Sequence, residues 1–268
     1  EIIGRLVEEY GLSMDPGTMF AVGDPDEAWW VEVACGGQWI ATRVPENAAE
    51  VRANCFRTGT VDLNDKNNVL HSAALLEHAV QKGWFDPAGK QTFNFALVYG
   101  APDTVTGAYN TVRHEMIERM LADAGQVSRQ ELMVILRTMY EGTDTYREDE
   151  KTGSPFRTDV RTVSRINTEI SAVIELRKDL PAEIGTLVWW NMGTPNTGCF
   201  VPWYFGTTTF PEPYRTGTNV FTDGSAYWTF FELTRLADSH YRLVMPDISR
   251  TWKAFEDDVM ERQEAGER

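Results

Sequence analysis

The chain has 268 residues, of which 42% are hydrophobic and 12% aromatic, so it is long enough and apolar enough to bury a full core. Its 25 basic and 40 acidic residues leave a formal net charge of -15, which argues against nucleic acid and anionic membranes as partners. Cys35, Cys55 and Cys199 are too few for a disulfide framework, so we expect a reducing compartment, the cytoplasm.

The first quarter of the sequence predicts one helix followed by strands. Ile2, Ile3, Leu6 and Val7 share a helical face, and Gly11 ends the helix. Gly36-Gly37 predicts a hairpin turn between two apolar runs. The strands are expected at 18–22, 29–33, 39–44 and 51–56, and the last of them carries Asn54.

Helices and strands alternate in the rest of the predicted chain. Ser128 and Glu131 fit a capping box ahead of an amphipathic helix that Gly142 ends. Further helices are expected at 71–81, 106–123, 163–176, 225–241 and 251–263. Strands are expected at 93–99, 186–190 and 199–205, the last two joined as a hairpin by the turn at 193–196.

Strands in two clusters, with helices between and after them, predict an α+β fold in which helices pack on sheet faces in an αββα arrangement. Apolar runs such as 187–190 fit strands that are covered on both faces. We expect one domain over residues 1–268.

Common catalytic motifs are absent from the sequence. It has no phosphate-binding Gly-Lys-Ser/Thr loop, no G-x-S-x-G elbow and no G-x-G-x-x-G fingerprint. His71 and His78 are seven residues apart without a third ligand at a recognised spacing, so no metal site is predicted. Cys55 has no histidine near it in sequence, and we interpret Cys55 and Cys199 as small buried hydrophobes.

Several segments, taken in order, resemble the bacterial dipeptidase family of N-terminal-nucleophile cysteine hydrolases. One is Val-Arg-Ala-Asn-Cys-Phe-Arg-Thr-Gly-Thr-Val-Asp-Leu at 51–63, and another is Tyr-Asn-Thr at 109–111. The others lie at 21–33, 139–143, 197–207 and 219–248. The resemblance covers the chain from about Gly4 to its end and corresponds to the C-terminal portion of that family.

The resemblance implies an αββα four-layer sandwich and a nucleophilic cysteine that is residue one of the mature enzyme, with its own α-amino group as general base. An α-amine with a pKa near 8 can accept the thiol proton at neutral pH. By matching motifs, Asn54 would be the oxyanion donor and Arg113 the arginine of the catalytic site. Trp30, Phe56 and Asn110 would contact the substrate, and neither a cofactor nor a metal is expected.

The family's cysteine-bearing strands have no counterpart in this sequence, which leaves three hypotheses. In the first, the chain is the C-terminal part of a dipeptidase, active only with a preceding segment or partner chain that begins with cysteine. In the second, it is a non-catalytic peptide- or ligand-binding protein whose cleft uses Trp29, Trp30, Trp189, Trp190 and Trp203. In the third, it belongs to an amidase of the bile-salt hydrolase or penicillin acylase type. The first also predicts a tightly held partner or an oligomer, because apolar sheet faces would otherwise be exposed.

Overall fold

Helices and antiparallel strands are mixed along the chain, which confirms the predicted α+β class. The computed structural model describes residues 1–12 and 17–267, and the chain divides into a first unit, Glu1–Leu121, and a second unit, Ala122–Arg268. In the described residues, the first unit holds a four-stranded sheet and the second a three-stranded sheet. The single domain over 1–268 stays a prediction.

The first unit begins with helix α1 (Ile2–Tyr10), as predicted, and Gly11 ends this helix with a φ of 75°. The strands of its sheet are β1 (Thr18–Gly23), β2 (Ala28–Val33), β3 (Trp39–Arg43) and β4 (Val69–His71). They lie in the order β1-β2-β3-β4, and each neighbouring pair is antiparallel. The predicted turn at Gly36-Gly37 is confirmed, since both residues have a φ of 71°, which glycine adopts without steric cost.

The two faces of this sheet are covered by different parts of the first unit. On one face, Val7 of α1 packs with Val31, Val33 and Trp39. On the other face, Ile40 lies in a cluster with aromatic residues from later helices. The period-two alternation of a strand separates these two sets of side chains, so β2 and β3 are covered on both sides.

The described helices that follow in the first unit are α2 (Leu75–Gln81), α3 (Phe95–Tyr99) and α4 (Pro102–Thr106), and α5 (Ala108–Ala124) begins in this unit and ends just beyond Leu121. The strand predicted at 93–99 is therefore wrong. The Asn94 side chain accepts the backbone N–H of Leu97 and caps a helix, so this local hydrogen bond overrides the β propensity of the apolar run. The helix predicted from residue 71 starts later, because His71 pairs with Ile40 as part of β4.

The strand predicted at 51–56 is also wrong, since this segment has no regular secondary structure. The backbone N–H groups just after it, those of Arg57 and Thr58, donate to the carboxylate of Glu32 instead of to a neighbouring strand. A side chain of the sheet thus takes the hydrogen bonds that a further strand would have taken. We call residues 51–59 the Asn54 loop.

The second unit is built on β5 (Ile170–Leu176), β6 (Thr186–Met192) and β7 (Val201–Tyr204), in the order β5-β6-β7 with antiparallel pairing. The predicted hairpin formed by the second and third of these strands is confirmed. The helix predicted at 163–176 is wrong, because Ile170 to Leu176 pair with β6 along their whole length. Seven strand pairings outweigh the helical periodicity of this segment, in which Ile170, Val173 and Ile174 are β-branched.

The helices of the second unit are α6 (Arg129–Arg137), α7 (Ala182–Gly185), α8 (Glu212–Arg215), α9 (Ala226–Ser239) and α10 (Tyr241–Gly266). The predicted capping box is confirmed, with the Ser128 side chain accepting the N–H of Glu131 and the Glu131 side chain accepting that of Ser128. Trp189 of β6 packs in the core with Met133 and Met260. None of the helices in residues 1–12 and 17–267 combines the length and the apolar character that crossing a membrane requires.

Candidate active site

The Asn54 loop presents one polar side chain between two buried small ones. Ala53 and Cys55 are buried, whereas Asn54 is exposed. The N–H of Cys55 donates to the carbonyl of Ala53 at 2.8 Å, so the backbone turns tightly at Asn54. Because the side chains on either side are anchored in the unit and Asn54 is at the turn, its carboxamide projects outward.

The carboxamide of Asn54 is held by the side chain of Arg113. The Nη2 atom of Arg113 donates to Oδ1 of Asn54 at 2.7 Å, across 59 residues of sequence. Arg113 lies in α5, where the i, i+3 spacing also places its Nη2 3.4 Å from Oδ1 of Asn110. Three residues predicted for the site, Asn54, Asn110 and Arg113, therefore come together in the structure.

This contact decides which end of the Asn54 amide faces outward. A guanidinium carries N–H donors and no acceptor, so the atom that it meets must be the amide oxygen. Nδ2 of Asn54 then points away from Arg113 with its two N–H groups. The arrangement is that of a fixed donor, which is what a developing oxyanion requires.

The two predicted aromatic contacts lie in different surroundings. Trp30 is half-buried on β2, and the guanidinium carbon of Arg52 is 5.5 Å from its ring centroid. Phe56 has 6% of its surface exposed and packs in the core, with its ring centroid 5.2 Å from that of Phe95. The structure thus places Trp30 at the surface and Phe56 inside the unit.

Glu32 was not predicted from the sequence, yet it lies directly beneath the Asn54 loop. Its carboxylate is 0% exposed and accepts the N–H groups of Arg57 at 2.7 Å and Thr58 at 3.0 Å. The Nε atom of Arg52 lies 3.4 Å from its Oε1. A glutamate within the apolar run of β2 was the available signal, since buried carboxylates require partners.

His114, next to Arg113 in α5, is a second buried titratable group that the sequence did not indicate. It is 4% exposed, and its Nε2 lies 3.0 Å from Oε1 of Glu118. Burial lowers the pKa of His114 below 6.5, and the positive charge of Arg57 lowers this pKa further, while Glu118 opposes both effects. His114 is therefore neutral at physiological pH.

The cysteines have no histidine-activated arrangement in the described contacts. Cys55 and Cys199 are buried, as predicted, while Cys35 is exposed. Burial, with the nearby charge of Glu256, raises the pKa of the Cys199 thiol to about 12. Within the part of the chain that the structure describes, no three His, Cys, Asp or Glu side chains are grouped so as to hold a metal ion.

An apolar cavity of about 440 Å³ lies in the second unit, on the face of the sheet opposite Trp189. Trp190 and Trp203 line it, together with Phe210 and Tyr214. The ring of Trp203 is 5.0 Å from that of Phe210 and 5.1 Å from that of Tyr214, centroid to centroid. Of the tryptophans predicted for a cleft, Trp189 is instead fully buried.

Comparison with known proteins gives a consistent result. The model of peptidase family C69 matches residues 1–254 of the chain. The chain is 24% identical to "Probable dipeptidase B" of Streptococcus pyogenes serotype M1, over 96% of this chain and 57% of that protein. It is 26% identical to "Probable dipeptidase A" of the same serotype, over 89% and 54%. It is also 26% identical to "Dipeptidase A" of Lactobacillus helveticus, over 90% and 53%. The chain thus spans little more than half the length of these relatives.

Proposed function

The chain belongs to peptidase family C69, and we propose that it is the C-terminal part of a dipeptidase whose nucleophile is an N-terminal cysteine on a preceding segment or a partner chain. In this proposal the first unit contributes Asn54 as oxyanion donor and Arg113 as the group that orients it. The names of the relatives and the resemblance of the 51–57 and 109–111 segments support the choice of substrate, a dipeptide.

The observation that carries the proposal is the Arg113–Asn54 contact of 2.7 Å. An exposed asparagine on a loop would ordinarily sample several rotamers, and its amide would rotate in solvent. Arg113 restricts this freedom and selects the orientation with Nδ2 outward. Preorganised donors of this kind stabilise a developing oxyanion by about 3 kcal/mol.

In the proposed reaction the cysteine thiol loses its proton to the α-amino group of the same residue. The sulfur then forms a bond to the carbonyl carbon of the dipeptide, and the carbonyl π electrons move onto oxygen. Nδ2 of Asn54 donates to this oxyanion. The α-ammonium returns its proton to the leaving amine as the C–N bond breaks, and water then hydrolyses the remaining thioester to release the acid and restore the thiol.

In this proposal, the segment or partner chain that carries the cysteine also completes the fold as an αββα four-layer sandwich of the N-terminal-nucleophile type. We propose that its strands cover apolar sheet surface, which makes a tightly held partner or an oligomer part of the same proposal. Trp30, at the surface beside Arg52, and Asn110, beside Arg113, are proposed to line the dipeptide site. Phe56 packs in the core and is proposed to act by supporting the Asn54 loop.

Three unpaired cysteines fit a cytoplasmic location.

The test compares dipeptide hydrolysis by the 268-residue chain alone with hydrolysis by its assembly with a segment that begins with cysteine. We expect no turnover by the chain alone, turnover by the assembly, and loss of that turnover on thiol alkylation. Asn54→Ala in the assembly should lower kcat by about 10²- to 10³-fold. Asn64→Ala, which changes an exposed asparagine in a turn of the same unit, is the matched control and should leave kcat unchanged.

Turnover by the purified chain that survives alkylation would refute the proposal, because no nucleophilic thiol would then be needed. If Asn54→Ala and Asn64→Ala have the same kcat in the assembly, only the oxyanion role of Asn54 is refuted.

A second candidate function is non-catalytic binding of a peptide or another small apolar ligand. The cavity lined by Trp190 and Trp203 favours it, since its volume of about 440 Å³ and its aromatic walls suit a small molecule. Calorimetric titration of the chain with dipeptides distinguishes the two candidates. Binding that Trp203→Ala abolishes, without turnover in any assembly, would favour the second one.

A further inference from the structure

Glu32 is a carboxylate with none of its surface exposed, on a central strand of the first unit's sheet. Its neighbours in register are Met19 on β1 and Ile40 on β3, both apolar. An ionised carboxylate in such surroundings is costly unless hydrogen bonds and an opposite charge compensate it. The contacts of its side chain therefore indicate which part of the chain this glutamate holds in place.

Among the described residues, the polar contacts of the Glu32 side chain are all with the Asn54 loop. Oε1 of Glu32 accepts the N–H of Arg57 and Oε2 accepts the N–H of Thr58. Arg52 brings its guanidinium to the same carboxylate, with Nε 3.4 Å from Oε1. The loop thus contacts Glu32 both before and after Asn54, and neither carboxylate oxygen is left without a donor.

We propose that Glu32 is a positioning residue, which fixes the Asn54 loop so that the amide of Asn54 stands where the oxyanion forms. The inference rests on the proposed function. The loop forms no helix or strand, so no regular ladder of hydrogen bonds defines the shape of residues 51–57. A donor must lie within about 2.7–3.1 Å of the oxyanion, so a small shift of the loop removes its benefit. Glu32 supplies the loop's backbone with a rigid anchor on the sheet, while Arg113 orients the side chain.

Glu32→Gln tests this with almost no change in shape. Glutamine offers one acceptor oxygen, and its NH₂ group faces a backbone N–H where the second oxygen was, so one hydrogen bond is replaced by a donor–donor contact. In the active assembly we expect kcat to fall by up to about 100-fold, the effect of a displacement near 1 Å, with KM unchanged. Glu32→Asp keeps two acceptor oxygens and should recover part of kcat.

The matched control is Glu256→Gln in the second unit. Glu256 is also a buried carboxylate that accepts a backbone N–H, that of Phe200, and pairs with an arginine, Arg137. Its substitution should lower stability without changing kcat of the folded assembly. Equal losses of kcat in the two variants would overturn the proposal, because the effect would then be general destabilisation.

A double-mutant cycle separates positioning from other roles. If Glu32 acts through Asn54, Glu32→Gln should have no further effect on kcat once Asn54 is alanine. Fold-losses that multiply in the double variant would overturn the proposal, since Glu32 would then act independently of Asn54.

Hydrogen exchange of the Arg57 and Thr58 amides in the 268-residue chain gives a readout that needs no activity. Glu32→Gln should speed their exchange and shift the side-chain amide resonances of Asn54, while Glu256→Gln does neither. Unchanged exchange and unchanged Asn54 resonances would overturn the proposal. If Asn54→Ala leaves kcat intact, the proposed oxyanion role of Asn54 fails, and the exchange rates still decide whether Glu32 holds the loop.

Discussion

At the scale of single residues, the candidate site is one amide whose orientation is set by charge. Arg113 meets the oxygen of Asn54, and the carboxylate of Glu32 holds the backbone that follows. Both contacts are charge-assisted hydrogen bonds, which are shorter and stronger than neutral ones. Loop residues that carry chemistry require this kind of support, because the loop backbone has few hydrogen bonds of its own.

His114 is buried next to Arg113 and makes the stability of the first unit depend on pH in a specific way. Its pKa lies below that of a histidine in the unfolded chain, because burial and the charge of Arg57 disfavour the imidazolium. The unfolded state therefore binds more protons between the two pKa values, and stability falls as pH drops from about 6.5 through the folded pKa. Above about 6.5 the contribution is fully present.

The variant His114→Gln should remove this component of the pH dependence. We expect the free energy of unfolding, measured by urea denaturation between pH 5 and pH 8, to decline less steeply below about 6.5 in the variant than in the parent chain. His240→Gln, at the start of α10, provides a control with a histidine outside this cluster. Parallel curves for His114→Gln and the parent chain would show that His114 is not the titrating group.

At the scale of elements, the docking of α1 on the sheet depends on a missing side chain. Gly4 is buried in the middle of α1, and a Cβ atom built there would overlap the indole ring of Trp39 on β3. The same indole donates its Nε1–H to Oε1 of Glu8 at 2.8 Å. Close approach at Gly4 therefore lets the ring both pack under the helix and hydrogen-bond to it.

For this reason Gly4→Ala should destabilise the chain although alanine favours helices. The gain in helix propensity is about 1 kcal/mol, and forcing a methyl group into a filled contact costs about 1–3 kcal/mol, so we expect a net loss of roughly 1 kcal/mol. Urea denaturation followed by tryptophan fluorescence measures it. Arg5→Ala, on the exposed face of the same helix, should change stability by less than about 0.5 kcal/mol. A Gly4→Ala chain as stable as the parent would contradict the packing argument.

At the scale of the whole molecule, the three thiols differ in accessibility. Cys35 is exposed, whereas Cys55 and Cys199 are buried. With the pKa of Cys199 raised to about 12, this thiol stays protonated throughout the physiological range. Since the thiolate is the reactive species, the chain should present one reactive thiol in its native state.

Alkylation of the native chain with iodoacetamide at pH 8, followed by mass spectrometry, should therefore modify Cys35 first. Cys55 and Cys199 should react only when denaturant is added, and a Cys35→Ser chain should resist native alkylation. The Cys35→Ser chain also improves the test of function. If alkylation abolishes turnover by the assembly that contains this variant, the modified thiol lies outside this chain. Rapid native labelling of Cys55 would show that the Asn54 loop is not anchored as described.

Elements defined by neighbouring residues were predictable from the sequence. The Ser128–Glu131 capping box, the α1 helix ending at Gly11 and the Gly36-Gly37 turn each depend on residues within one or two turns of chain. The strand Ile170–Leu176 was mistaken for a helix because its partner β6 begins ten residues later, and strand pairing is a non-local interaction.

The sequence by itself determined the α+β class and most of the first unit's sheet, and its resemblance to a known family pointed to Asn54, Asn110 and Arg113 as site residues. Only the tertiary structure decided that Oδ1 of Asn54 meets Arg113 and that Glu32 anchors the loop between them, because these contacts join residues 59 and 25 positions apart. Helix caps and turns depend on adjacent residues. The hydrogen-bond donors of a buried carboxylate come from distant residues, which reach it only when the sheet has folded.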